Sequence, residues 1–456
     1  MNRAALLLAL LAGCASVPRD AGFKDVNAMA RERLGHDLRW DRGGEEDAQV
    51  RDRLRALLAA PLTDDGAVEV ALLHNRGIQA VYEELGIAQA DLVQAGLLRN
   101  PTFGATVRFP HKPSGSIENE FSIAQDFLDL FTLPLRKHVA AAQFEQAKLR
   151  VGNEVLQLAG QVRTAYFTLL AAQHMSSILR ETSLGYDALS QLAELQREAG
   201  NINDLELSME VDAALTARTN VARSDGEMLL ARERLAGLLG VYGGDAAFKT
   251  VEMLPELPES DPALDKLESV AIRRRLDLGA ARAERDVLAS LLSTARGTRF
   301  IPGIQVGAAT ANDTEGNRVT GPTVSLELPI FDQGQARLSR LESQARQADA
   351  RLEDLAVRVR SEVRSARSRL VQERATVEFY RGSVLPVRER IMKQSQLHYN
   401  AMQIGLVQLL NARQGQTNAY RDYVEALRGY WTARSDLELA VGGRMGAGNP
   451  PAAAAR

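Results

Sequence analysis

The chain has 456 residues, of which 45% are apolar and 25% are charged, and its 55 basic and 58 acidic side chains leave a formal net charge of −3. This composition is typical of a folded protein and too apolar for a disordered one. It gives no basis for nucleic-acid binding, because there is no basic excess to neutralise phosphates. Aromatic residues make up only 5% and no proline lies between Pro134 and Pro255, which favours long helices over an all-β fold.

The start of the chain has the pattern of an export signal. Residues 1–13 contain a basic residue followed by a short apolar run, which is too short to span a bilayer because a helix needs about 20 residues to do so. The run therefore predicts a signal peptide. Leu11–Cys14 resembles a bacterial lipobox, so we expect Cys14, the single cysteine, to carry lipid. The absence of an aspartate after Cys14 predicts the outer membrane as its destination.

The sequence repeats itself at an offset of about 200 residues. Residues 71–80 match 271–280, and Val162–Ala165 match Val363–Ala366. Solenoid repeats are only about 20–50 residues long, so this offset predicts a duplicated unit. The predicted organisation is a lipidated N-terminal segment (14–60), a first repeat (61–242), a linker (243–262), a second repeat (263–443) and a disordered tail (444–456).

Each repeat begins with an amphipathic helix, over 71–98 in the first copy, and continues with two strands. In these strands apolar and polar residues alternate, as in a sheet with one apolar face. Phe103, Ala105 and Val107 share one face of the first strand. The predicted strands cover 102–109 and 117–127 in the first repeat, and 303–310 and 319–328 in the second.

A very long helix follows the strands in each repeat, over about 135–199 and 334–400. Its apolar residues recur in a heptad rhythm, which is typical of coiled coils. Pro386 lies inside the second long helix, where we expect a kink. Turns at Gly200 and Gly405 reverse the chain into a further helix. The predicted fold is mainly α with a small β part.

The four strands have the length and alternation of membrane-spanning β-strands. Lipid tolerates no open sheet edge, and four strands cannot close into a barrel on their own. Either several copies share one barrel, with twelve strands from three copies, or the strands form two hairpins in water that cap a helical bundle.

Four stretches of the chain resemble the TolC-like family of outer membrane efflux proteins: the lipobox at Cys14, Gln94–Pro101, Leu328–Gly334 and Tyr399–Arg413. The resemblance covers about residues 60–443. It implies a homotrimer with a shared twelve-stranded barrel in the outer membrane and a helical coiled-coil tunnel in the periplasm. It also implies that the trimer exports substrates received from an inner-membrane pump through a periplasmic adaptor protein.

The N-terminal segment resembles a particular branch of that family. Phe23–Val26, Arg31, Arg33 and Trp40 are similar to the branch that accompanies heavy-metal pumps of the resistance-nodulation-division type. The implied partners are the adaptor, such a pump and outer membrane lipid, with no nucleic acid. The alternative function is a periplasmic coiled-coil adaptor or a structural lipoprotein without a pore.

The resemblance also assigns candidate site residues. The candidates for the barrel lumen are Arg108, Glu118 and Glu120, the tip turns are Gly200 and Gly405, and the periplasmic gate candidates are Gln408, Asn411, Asn203, Asp204 and Glu206. Many relatives carry aspartates where this chain has Gln408 and Asn411, which argues against a carboxylate ring there. The alternative for all five gate candidates is a solvated helix start, with Asn203 or Asp204 as the N-cap.

The sequence contains no catalytic constellation. Its six histidines are scattered, without an HExxH motif or a companion cysteine, so no metal site is predicted. We therefore predict a protein that is not an enzyme and needs no cofactor.

Overall fold

A computed structural model describes residues 16–43, 46–109, 117–126, 128–298, 303–312 and 317–445. The predicted signal peptide, Cys14 and the tail from residue 446 lie outside the described residues. The chain divides into two compact units. One contains the chain up to residue 26 with residues 82–151 and 276–356, and the other contains residues 27–81, 152–275 and the chain from residue 357. Each unit therefore takes segments from both predicted repeats.

The chain is mainly helical, with one small sheet, as the sequence predicts. The first half contains α1 (Phe23–Leu34), α2 (Glu46–Ala59), α3 (Asp64–His74), α4 (Arg76–Ala95), β1 (Thr102–Arg108), β2 (Glu118–Asp126), α5 (Leu128–Glu198), α6 (Asp204–Leu239) and a short 3₁₀ helix (Gly243–Ala247). The second half contains α7 (Leu267–Arg274), α8 (Leu276–Thr298), β3 (Ile304–Asn312), β4 (Arg318–Leu326), α9 (Gln335–Phe379), a π-helical turn (Tyr380–Val384), α10 (Leu385–Asn400) and α11 (Leu406–Val441).

The helix predicted over 71–98 is in fact two helices, because Asn75 interrupts it in an extended conformation. The Asn75 side chain donates to the carbonyl of Leu238 at 2.8 Å and accepts from the amide of Ile78 at 3.0 Å. Arg275 makes the corresponding break between α7 and α8. The break thus recurs at the same place in both repeats.

The four strands form one antiparallel sheet in the order β1-β2-β3-β4. The register pairs Phe103 with Ile123 and, further along, Val306 with Val324. Strands that are consecutive in sequence are therefore neighbours in the sheet. β2 and β3 are neighbours although the helices from α5 to α8 lie between them in sequence. This sheet lies within the first unit.

The long helix α5 begins at Leu128 rather than near residue 135, and it has Pro134 inside it. Pro134 is the seventh residue of the helix, beyond the first four whose N–H groups have no partner, so it removes one backbone hydrogen bond while the helix continues. The heptad positions Val155, Val162 and Leu169 are fully buried, in keeping with the coiled-coil pattern of the sequence.

The second long helix is interrupted immediately before Pro386, where the sequence predicts a kink. The interruption is a π-helical turn in which the amide of Leu385 donates to the carbonyl of Tyr380. Pro386 becomes the second residue of α10. The backbone stays helical on both sides of Pro386, so the wider π turn is where the helix accommodates the proline ring and its missing N–H.

Candidate functional sites

The three lumen candidates lie together on one face of the sheet. Arg108 lies opposite Glu118 in the register, and its guanidinium is 3.6 Å from the Glu118 carboxylate and 3.4 Å from that of Glu120. All three side chains are partly or fully exposed to solvent. On the same face Gly104 lies opposite Ser122. This face is polar and compatible with water.

The opposite face of the sheet is apolar and exposed. The rings of Phe103 and Phe121 stack with centroids 6.3 Å apart. Ile123, Val306 and Val324 extend the same face and are also exposed. A continuous exposed apolar surface of this kind indicates a contact with lipid or another protein.

The first tip turn joins α5 to α6, and Gly200 adopts a left-handed conformation in it (φ +75°). Asn203 is the N-cap of α6 and forms a capping box with Glu206, in which each side chain accepts from the other residue's amide. Asp204 forms an ion pair with Arg197. Asn203 and Glu206 therefore cap the start of α6, which is the alternative to a gate role given in the sequence analysis.

The second tip turn joins α10 to α11, and Gly405 is the N-cap of α11 without a side-chain cap. Gln408 and Asn411 are exposed on the first turns of α11. Tyr399, at the end of α10, lies close enough to Glu206 and Glu210 for their charges to help raise its pKa, although burial is the larger cause. The ends of the two helical hairpins are therefore neighbours.

The structure adds a buried contact near the tips that sequence analysis missed. The guanidinium of Arg413 lies 5.4 Å from the ring centroid of Tyr186, and a Cβ on Gly185 would come within 2.9 Å of Arg413 Nη1. Glu210 is only 1% exposed, and burial raises the pKa of its carboxyl while the charge of Arg413 partly offsets this. The available sequence signal was Gly185, because a glycine inside a helix often marks a close approach.

A network of charges around Arg163, in the middle of α5, joins both repeats. Arg163 lies 3.2 Å from Asp65 and 2.8 Å from Glu438, and Arg444 also pairs with Asp65. His36, whose Nε2 lies 3.8 Å from the Asp65 carboxylate, is the largest cause that lowers the pKa of Asp65, and Arg444 and Arg163 add to it. Burial raises the pKa of Glu438. These paired groups hold the helices together.

The N-terminal residues that suggest the heavy-metal branch have packing roles. Phe23 contacts the ring of Tyr82, with centroids 5.2 Å apart. Arg33 donates to the carbonyl of Gly442 at 3.0 Å. Trp40 lies beneath the guanidinium of Arg42. The contacts of Phe23 and Arg33 hold the N-terminal segment against the helices, whereas that of Trp40 lies within the segment.

Among the described residues, no helix is long and apolar enough to cross a membrane. Within the same residues, no group of three or more histidine, cysteine, aspartate or glutamate side chains could hold a metal ion.

The chain is similar to known proteins in both sequence and fold. Residues 67–241 match the family model "Outer membrane efflux protein". The chain is 24% identical over 392 residues to the cobalt-zinc-cadmium resistance protein CzcC of Cupriavidus metallidurans, covering 84% of this chain and 91% of that protein.

Solved structures share the fold. The CmeC outer membrane channel of Campylobacter jejuni matches with a TM-score of 0.69 at 16% identity, over 90% of this chain and 91% of that one. CusC, whose structures concern folding and transmembrane channel formation, matches with a TM-score of 0.69 at 18% identity, over 86% of this chain and 92% of that one. The chain thus shares the fold of these two proteins.

Proposed function

We propose that the chain is a TolC-like outer membrane efflux protein whose polar sheet face lines a barrel lumen while its apolar face contacts lipid. It is the outer membrane channel of a tripartite efflux system and not an enzyme. The observation that supports the proposed lining is the separation of Arg108, Glu118 and Glu120 from the exposed aromatic face. A barrel in lipid needs this separation, because its outside is apolar and its interior polar.

The channel works as a trimer with adaptor and pump components. It moves nothing against a gradient by itself and offers a water-filled path, while the pump supplies the energy. The family match favours this function over the alternative of a pore-free adaptor or structural lipoprotein. The domain boundaries from the sequence, with the linker at 243–262, remain our proposed division of the chain.

The pump, we infer, is of the resistance-nodulation-division type and exports metal ions. The support is the similarity to a protein named for cobalt, zinc and cadmium resistance, together with the N-terminal residues Phe23, Arg33 and Trp40. A strain that lacks this chain should become sensitive to these metals. Sensitivity to organic drugs alone would contradict the metal assignment.

The lipid anchor is proposed at Cys14. Gly22 lies against Phe144 and Lys148 of α5, and eight residues of extended chain span at most about 28 Å. The anchor would therefore hold this part of α5 near the inner surface of the outer membrane. Cys14→Ala should leave the trimer intact and abolish labelling with radioactive palmitate.

The gate proposal concerns Gln408 and Asn411, which are exposed at the start of α11 near the neighbouring hairpin. Asn203, Asp204 and Glu206 flank this region, but the capping box gives Asn203 and Glu206 a structural task. Opening then requires polar contacts at the tips to break when the adaptor docks, as in a two-state element. Replacing Gln408 and Asn411 with alanine should raise the conductance of the closed channel.

Planar bilayers test the channel and the gate together. The purified protein should form water-filled channels, and the double alanine variant should conduct more than the wild type. Channels with unchanged conductance would remove these residues from the gate. Recovery of the mature protein as a soluble periplasmic monomer would overturn the channel itself.

A further inference from the structure

The outer edges of β1 and β4 have no strand partner within the described chain. The register determines which residues of these two strands direct their backbone N–H and C=O groups away from the sheet. The amide of Glu327 donates to the carbonyl of Gly303 at 3.0 Å, which extends the β3–β4 register by one pair. Hydrogen-bonded and non-hydrogen-bonded pairs alternate along an antiparallel ladder. The next pair, Ile304 with Leu326, is therefore non-hydrogen-bonded. The even-numbered residues of β4 thus direct their N–H and C=O groups to the free edge.

Pro322 is one of these outward-directed residues, and it lies opposite Ala308 of β3. Proline has a carbonyl but no backbone N–H. The free edge of β4 therefore lacks a donor near its middle. Donors remain at the other outward positions of the strand: Arg318, Thr320, Val324 and Leu326.

The same alternation, carried across the sheet, fixes the free edge of β1. Ile123 and Ala308 form a hydrogen-bonded pair between β2 and β3, so Ser122 and Gly104 form one between β1 and β2. The odd-numbered residues of β1, such as Ala105, are therefore directed outward.

The two free edges fit each other. The residues whose backbone groups are directed outward, odd-numbered in β1 and even-numbered in β4, have their side chains on the apolar face. The register connects them across β2 and β3 through residues that are directly opposite each other. Residues that pair directly across an antiparallel ladder have side chains on the same face. A ladder between β4 of one copy and β1 of another would therefore continue the apolar face and the polar face without interruption.

We propose that Pro322 leaves one gap in the ladder at each of the three seams at which β4 of one subunit meets β1 of the next in the shared barrel. This inference rests on the trimeric channel described above. A carbonyl left without a donor at membrane depth is unfavourable, because lipid supplies no replacement. The seams between subunits are consequently the weakest lines of the barrel.

The test replaces Pro322 with a residue that has a backbone donor. In Pro322→Thr the seam gains one hydrogen bond per subunit, so trimers in SDS electrophoresis should dissociate at a temperature several degrees above that of the wild type. Val324→Pro removes a second outward donor and should lower the dissociation temperature. Thr323→Pro is the matched control: Thr323 pairs inward with Gly307, so this variant should damage the subunit itself and reduce the yield of folded protein.

The seam can also be located without touching Pro322. Cysteine at Thr320 combined in turn with cysteine at Phe103, Ala105 or Val107 should give disulfide-linked subunits in at least one pair, in a Cys14→Ala background. Native trimers of Pro322→Thr with an unchanged or lower dissociation temperature would overturn the gap, and the absence of any cross-link would overturn the β4–β1 seam. A wild-type chain that never forms trimers would instead overturn the channel assembly on which the seam depends.

Discussion

Two adjacent residues of β2 lie on opposite faces of the sheet, one apolar and one polar. Phe121 lies on the apolar face, whereas Ser122 lies on the polar face opposite Gly104, which leaves room for a larger side chain. Phe121→Arg should therefore hinder barrel assembly, because an arginine facing lipid costs about 2–4 kcal/mol near the bilayer midplane. Ser122→Arg should be tolerated. The yield of trimers extracted from membranes measures both effects, and equal yields would contradict the assigned strand phase.

The Glu210 side chain is buried, and its burial affects the pKa of its carboxyl. Burial raises the pKa of its carboxyl, so its protonated form fits the folded state better than its charged form. The resulting stability is present below the usual pKa of glutamate and is lost as pH rises through the raised folded value. Glu210→Gln removes the charge and should stabilise the protein by about 1 kcal/mol at neutral pH, with a smaller gain near pH 4.

Thermal unfolding of both proteins between pH 4 and pH 8 measures this difference. The control is Glu206→Gln, which keeps a capping side chain on the exposed helix start and should show little dependence on pH. A gain for Glu210→Gln that is the same at all pH values would show that the carboxyl is not destabilised by its burial.

At the scale of elements, the π turn before α10 is a place where the helix can be changed without loss of contacts. A Cβ on Gly382 would meet no atom within 4 Å, and the residue does not have a positive φ. Gly382→Ala should therefore stabilise the protein by about 0.4–1 kcal/mol, because alanine restricts the unfolded chain. Gly240 makes a matched control at the end of α6.

Gly240→Ala should destabilise the protein. Gly240 has a φ of +75°, and its Cβ would come within 2.9 Å of the Cα of Asn75. Left-handed backbone costs an ordinary residue about 1–2 kcal/mol, and the contact with the backbone adds to this. The melting temperatures of the two variants should therefore move in opposite directions, and a common direction would contradict this account.

The sequence predicts those elements that are determined by patterns within a short stretch of residues. The strands follow from alternation, and the heptad of Val155 and Val162 identifies the core side of α5. The break at Asn75 could not be predicted, because its amide side chain is satisfied by the remote carbonyl of Leu238. The π turn could be located from Pro386, but its form depends on how the helix on each side packs.

The candidate sites divide in the same way. The shared face of Arg108, Glu118 and Glu120 follows from their spacing on two adjacent strands. The electrostatic interaction of Arg413 with Glu210 joins positions that are about 200 residues apart, so neither residue stands out within its own helix. Sequence periodicity therefore gives the faces of single elements, whereas contacts between the two hairpins need the three-dimensional structure.

At the scale of the whole molecule, the duplicated halves are joined through charge as well as through apolar packing. Asp65 and Arg163 come from the first repeat, Glu438 comes from the second, and Arg444 directly follows the second. Removing one partner of a buried pair leaves an uncompensated charge, which costs about 3–5 kcal/mol. Arg163 has the central position, because its guanidinium contacts carboxylates from both repeats. The packing of the two repeats against each other should therefore depend on the Arg163 side chain.

Arg163→Met keeps much of the side-chain volume but removes the charge, and it should lower the unfolding midpoint strongly. Arg369→Met is the control, because Arg369 is exposed and its pair with Asp436 at 3.4 Å is open to solvent; exposed pairs contribute only about 0–1 kcal/mol. The partners of Asp65 lower its pKa, so its share of the stability is present above the usual pKa of aspartate and is lost as pH falls through the lowered one. The loss in Arg163→Met should therefore persist from pH 5 to pH 8. Equal midpoints for the two variants in urea unfolding at pH 7 would show that the repeats are held together by apolar packing alone.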